Sequence, residues 1–144
     1  MTDRLELDGL LIETRVIEDP RLRDQLGREH PGDWQFVEHP RLWPISYPYE
    51  WTISMLADAA LATLDVQLEL IAAGCSLKDA TAYNVQFIRG AARLIDVTSI
   101  EQPPRLDLWP ALGQFGRMFL YPLLLTTQCG WYLRSYFQAN LDGL

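Results

Sequence analysis

Asp79, Asn84 and Asp96 are the residues of this chain whose types and spacing could do chemistry. They lie within "LKDATAYNVQFIRGAARLIDVTS", Leu77 to Ser99. Two carboxylates and an amide carbonyl form an oxygen-only ligand set, small enough to leave room for water. Such a set suits magnesium carrying substrate phosphates better than zinc. Two of the three also have an ordinary reading, Asp79 as a cap or turn residue in "SLKDA" and Asn84 as a turn-to-strand boundary. Asp96 is harder to set aside. It sits in the apolar, strand-like "RLIDVTS", where an unpaired carboxylate is expensive unless something compensates it.

The elements that must position these groups are a hairpin and a loop. "NVQFI" and "ARLIDV" both read as strands, and Gly90 lies between them. A three-residue loop, Arg89-Gly90-Ala91, pairs Ile88 with Ala92. The same register sets Val85 against Ile95 and Asn84 against Asp96. Residues directly opposed on one face have Cβ atoms about 5 Å apart, close enough for an amide oxygen and a carboxylate to share a cation. Asp79 precedes Asn84 in a non-helical segment, so a short loop can return its carboxylate to that end of the hairpin.

The rest of the chain reads as the support for this ribbon. A length of 144 residues fits one ordinary domain, and 49% hydrophobic with 22% charged residues allows a packed core. A formal charge of -7 argues against a surface for the nucleic-acid backbone. Cys75 and Cys129 have no metal-ligand company and read as small hydrophobes in a reducing cytosol. "MTDRLELDGLLIE" lacks the pattern of a signal peptide, and "MFLYPLLL" is too short to span a bilayer. The expectation is a soluble, cytoplasmic protein without a membrane segment.

Along the chain, "LDGLLIETRVI" reads as a strand, "DPRLRDQL" as a short helix capped by Asp19, and "DWQFVEH" as a second strand. "PRLWPISYPYEW" is an ordered, proline-rich linker whose aromatic rings need burial. A long helix is expected from about Pro48 to Ala73, with Trp51, Met55, Leu56, Ala59, Ala62, Val66 and Leu70 as its stripe. Leu61, Leu64, Leu68 and Ile71 widen that stripe, and Gly74 ends the helix. "ALGQFGRMFLYPLLLTTQ" reads as a helix kinked or bounded at Pro122, and "WYLRSYFQANL" as a last short one. His30 and His39 sit beside prolines in loops with no third ligand at metal spacing. Trp43, Tyr47, Tyr49 and Trp51 could line a nucleotide pocket, though core packing is the commoner fate of such rings. The fold class expected is α+β and mostly helical, with a long central helix and a β-hairpin.

"KDATAYN" resembles the catalytic loop of protein kinase-like phosphotransferases, in which an Asp is followed five positions later by Asn. "LIDVTS" resembles the metal-binding Asp segment that follows that loop after a hairpin. The resemblance implies a kinase-like C-lobe over residues 44–144, preceded by a partial strand and helix segment with its linker over residues 1–43. It implies Asp79 as the group that orients or deprotonates an acceptor hydroxyl, Lys78 as a phosphate contact, and Tyr49 as part of the nucleotide pocket. Asn84 and Asp96 would hold the magnesium, with ATP as the nucleotide. The chain departs from that pattern in three places. No His precedes Lys78, Val97 and Thr98 follow Asp96 in place of Phe-Gly, and no glycine-rich phosphate loop stands upstream.

"SYPYEW", "LKDATAYNVQF", "LIDVTS" and "FLYPLLL" together resemble a bacterial family of nodulation protein NoeA-like or SAM-dependent methyltransferase proteins. The resemblance covers Glu38 to Leu144 and implies a segment that precedes a methyltransferase domain. Three expectations follow. The first is a kinase-like transferase domain with a vestigial or partner-dependent magnesium–nucleotide site. The second is a non-catalytic scaffold of a methyltransferase, with S-adenosylmethionine bound only by a domain outside this chain. The third is a truncated product without independent activity. A protein partner or a second copy would cover the surface left by the missing lobe.

Overall fold

The computed structural model describes residues 9–140 and 142–143. The first pair of strands is far shorter than the sequence implies. β1 (Arg15–Val16) and β2 (Val37–Glu38) pair antiparallel with Arg15 opposite Glu38, and all four residues are exposed. With no face to bury, a longer ladder gains little and the chain leaves the sheet. Leu7 and Asp8, the start of the first expected strand, lie outside the described residues. Between the strands runs α1 (Pro20–Glu29), begun as its chemistry dictates. The Asp19 carboxylate accepts from the Arg21 amide at 2.9 Å and Pro20 occupies the first turn.

The proline-rich linker is irregular apart from one 3₁₀ turn, Pro48–Glu50, and its rings do not share one fate. Trp51 is buried, its indole nitrogen donating to Ser46 Oγ at 2.9 Å, whereas Trp43 is 87% exposed. The expectation that the rings of this segment are buried therefore holds for Trp51 and not for Trp43. Gln86 ties the linker down. Its Oε1 accepts from the Ser46 amide at 3.0 Å and its Nε2 donates to the Ser46 carbonyl at 2.8 Å. Gln86→Ala should therefore cost about 2 kcal/mol, the usual penalty for leaving part-buried backbone groups unanswered. Urea unfolding measures that loss, and amide exchange at Ser46 should lose its protection.

α2 (Ile53–Ala72) is the long central helix, capped by Thr52, whose Oγ1 accepts from the Met55 amide at 3.2 Å. Gly74 follows at φ +78°, the left-handed position that only glycine takes without strain. Leu56, Ala59, Ala62, Val66 and Leu70 are buried as the stripe predicts. The widening does not hold. Leu61, Leu68 and Ile71 are exposed, and Ala60, Thr63 and Gln67 are buried in their stead. Thr63 returns its hydroxyl to the Ala59 carbonyl at 2.8 Å, so its burial strands no donor.

After the helix, β3 (Ser76–Leu77) pairs antiparallel with β6 (Ile100–Glu101), and β4 (Val85–Ile88) pairs antiparallel with β5 (Ala91–Leu94). Leu11 lies beside Leu94 at the end of β5, where the Ile12 amide donates to the Leu94 carbonyl and the Leu94 amide donates to the Leu10 carbonyl, each at 2.9 Å. Downstream, α3 (Leu112–Phe115) runs into a π-helical turn, Gly116–Leu120, and on into α4 (Tyr121–Cys129). The wide turn accommodates Pro122, which has no N–H and whose ring would otherwise meet the carbonyl one turn earlier. α5 (Leu133–Ala139) closes the chain, and Phe119, Phe137, Met118, Leu70, Leu77 and Val85 form its common core with α2. The architecture is α+β, with helices predominating over small antiparallel ladders.

Candidate functional site

Gln67 and Trp109 fix the approach to the site. Gln67 Oε1 accepts from the buried Leu77 amide at 2.8 Å, and its Nε2 donates to Ser76 Oγ at 3.0 Å. Trp109 Nε1 donates to the Leu77 carbonyl at 2.9 Å. Both backbone groups of Leu77 are thus answered by side chains, and β3 is held at a fixed depth. The loop beyond it is anchored twice more. The Lys78 amide donates to the Ser99 carbonyl at 2.8 Å, and the Ala80 amide donates to Gln114 Oε1 at 2.6 Å.

The hairpin forms, but in a different register from the one expected. Its loop has two residues, Arg89 and Gly90, with φ of +53° and +85°, and Ile88 pairs with Ala91. Two successive positive φ values make a tight turn whose twist matches the strands, and this is why the chain reverses one residue earlier. The shift would place Asn84 opposite Ile95, and the Ile95 amide does donate to the Asn84 carbonyl at 2.8 Å. Asn84 and Asp96 nevertheless meet. The ladder ends there, and 3₁₀ turns at Ala82–Asn84 and Val97–Ser99 redirect both side chains.

Asn84 Nδ2 donates to Asp96 Oδ2 at 3.3 Å and to Ser99 Oγ at 3.0 Å. Ser99 Oγ donates to the same Asp96 oxygen at 2.6 Å. The other oxygen, Oδ1, accepts from the Thr98 amide at 2.9 Å and the Thr98 hydroxyl at 2.5 Å. Burial alone would raise the Asp96 carboxyl, but the donors of Ser99 and Thr98 outweigh it and hold the group below the usual carboxylate range. Asp96 therefore stands ionised as the cap of the turn that leads into β6.

Asp79 is half-buried and its carboxylate has no hydrogen-bond partner among the described residues; Lys78 is exposed. The Lys78–Ser99 backbone bond sets this loop against the turn that carries Asp96, but no hydrogen bond joins Asp79 to Asn84 or Asp96. Tyr49 stacks on Tyr47 with ring centroids 5.4 Å apart and lies near Tyr83, the neighbour of Asn84. Burial pushes the Tyr83 phenol up, with Tyr49 adding to the shift, and its hydroxyl is buried without a partner.

As a magnesium site the donor set is thin. Both Asp96 oxygens are occupied by N–H and O–H donors, and Asn84 presents its nitrogen, so its amide would have to turn over to offer Oδ1. Among the described residues no group of three or more His, Cys, Asp or Glu is placed to hold a metal. No helix among them is long and apolar enough to cross a membrane.

Sequence reasoning missed Gln67, Gln114 and the role of Ser99. A signal existed for two of them. Gln67 breaks the apolar stripe of α2 between Val66 and Leu70. Thr98 and Ser99 follow Asp96 at the spacing of a side chain that caps its own turn. Gln114 carries no such signal, since only packing brings it to Ala80.

No family model matches the chain, and no solved structure matches it, so the kinase-like expectation gains no support from known folds. Over 108 residues the chain is 43% identical to nodulation protein NoeA of Rhizobium meliloti (strain 1021). That alignment takes in 75% of this chain and 23% of NoeA, so the chain spans less than a quarter of the length of the curated relative it matches. The similarity supports a NoeA-like relationship for this segment.

Proposed function

We propose that the chain serves as a non-catalytic accessory segment of a NoeA-like, methyltransferase-related protein. The observation that carries this reading is the occupancy of Asp96, whose oxygens accept from Thr98, Ser99 and Asn84 and so work as a cap. The similarity to a segment that makes up 23% of NoeA supports an accessory role within a longer protein. Leu61 and Leu68, 59% and 65% exposed, stand two turns apart on one face of α2 and would supply apolar surface for the partner or second copy. S-adenosylmethionine would be bound only by a domain outside this chain.

A magnesium–nucleotide site is the second reading, favoured by the half-buried, unpartnered Asp79 and by the meeting of Asn84 with Asp96 across the hairpin base. In it Asp79 orients the acceptor, Lys78 contacts phosphate, Tyr49 flanks the nucleotide, and Asn84 with Asp96 holds magnesium. Isothermal titration with ATP and magnesium separates the two. The accessory reading expects wild type and Asp96→Asn to titrate alike, since neither holds magnesium at this turn. Binding by wild type that Asp96→Asn abolishes would overturn it in favour of the second.

A further inference from the structure

At the other end of the same hairpin, about 16 Å from Asn84 along the strand, lies a cleft of about 590 Å³ between the turn and the linker. Its walls carry Arg41, Arg89 and Arg93 together with Phe87 and Trp43. The one acid among the lining residues, Glu13, is already engaged by Arg15. Among the described residues none of the three cleft arginines makes an ion pair. In a chain of net charge -7, so local a positive concentration is not a general surface property.

Arg93 is the least solvated of the three. Its Nε is buried without an acceptor, and its Nη2 lies against Gly9, where a Cβ would stand 3.4 Å away. A guanidinium partly withdrawn from water attracts an anion more strongly than one in bulk solvent. Arg89 occupies the first position of the turn at φ +53°, where Asn, Asp or Gly would rest with less strain. Trp43 leaves its indole in water at the rim, 87% exposed.

We propose that this cleft binds a small phosphate monoester, its phosphate between Arg41, Arg89 and Arg93 and its ring against Trp43. Three guanidiniums match a doubly charged group with three free oxygens better than a carboxylate, and their planar forks suit bidentate contact. The cavity has the volume of a small-molecule site. A polynucleotide is disfavoured by the acidic remainder of the chain. This site shares no residue with the proposed function, and either stands if the other fails.

The test is isothermal titration of the whole chain at low salt, without magnesium, using inorganic phosphate, AMP and glucose 6-phosphate. AMP or glucose 6-phosphate should bind about tenfold more tightly than inorganic phosphate, and the tighter of the two identifies a base or a sugar as the ring. The double variant Arg41→Gln, Arg89→Gln changes exposed positions only and should weaken that binding about a hundredfold, roughly tenfold for each guanidinium–phosphate hydrogen bond removed. Arg134→Gln on α5 should leave it unchanged, and Trp43→Ala should remove the preference over inorganic phosphate. Absence of binding by all three probes, equal affinity for all three, or wild-type affinity in the double variant would overturn the proposal.

Discussion

Gln67→Met should destabilise the fold by about 4 kcal/mol, the largest loss expected from exchanging one side chain of this protein for another of similar size. Methionine keeps the length of the side chain and fills the same space, so packing changes little. The loss is polar. The Leu77 amide, which donates to Gln67 Oε1 at 2.8 Å, is left buried with no acceptor. Ser76 Oγ, which receives Gln67 Nε2 at 3.0 Å, is left buried with only a distant carbonyl at 3.4 Å. Two buried polar groups at about 2 kcal/mol each give the total. Urea unfolding reads it directly. A loss below about 1 kcal/mol would mean that water reaches β3 and that the clamp is not what holds the Lys78–Asp79 loop in place.

Asp96→Ala comes second, at about 3 kcal/mol. Loss of the cap costs about 1 kcal/mol, and the fully buried Ser99 hydroxyl, deprived of its acceptor, adds about 2. This effect carries a pH signature that a packing defect lacks. The folded carboxyl ionises below the usual range because the Ser99 and Thr98 donors outweigh the opposing effect of burial. Its contribution is therefore complete above the unfolded value of about 4 and is lost as pH falls through the lower folded value. Unfolding free energy measured from neutral pH down into acid should fall more steeply for wild type than for Asp96→Ala, so that the two curves converge. Parallel curves would show that Asp96 is not an ionised cap.

Much of this arrangement was legible from local chemistry. Asp19 before Pro20 starts α1, Gly74 stops α2, and strand-like runs on either side of Gly90 make a hairpin, because each depends on residues within a few positions of one another. The hairpin register was not legible to one residue. Arg89 adopts a positive φ that the residue type disfavours, and a turn assigned by preference alone places the extra residue in the loop. The face of α2 was misjudged for a related reason. Leucines at 61 and 68 fit a helical stripe as well as alanines do, and only tertiary packing decides which face of the helix is buried.

The sequence by itself determined the α+β class, the long helix with its stop at Gly74 though not its start at Thr52, and the presence of Asn84 and Asp96 at the ends of facing strands. These are set by backbone preference and hydrophobic period, which act over a turn or two. Tertiary structure alone decided that Gln67 and Gln114 reach across to hold the Asp79 loop, and that Arg41 joins Arg89 and Arg93 of the hairpin at one cleft. The physical reason is that a polar side chain's partner depends on position in space. Distant segments set that position when the core closes.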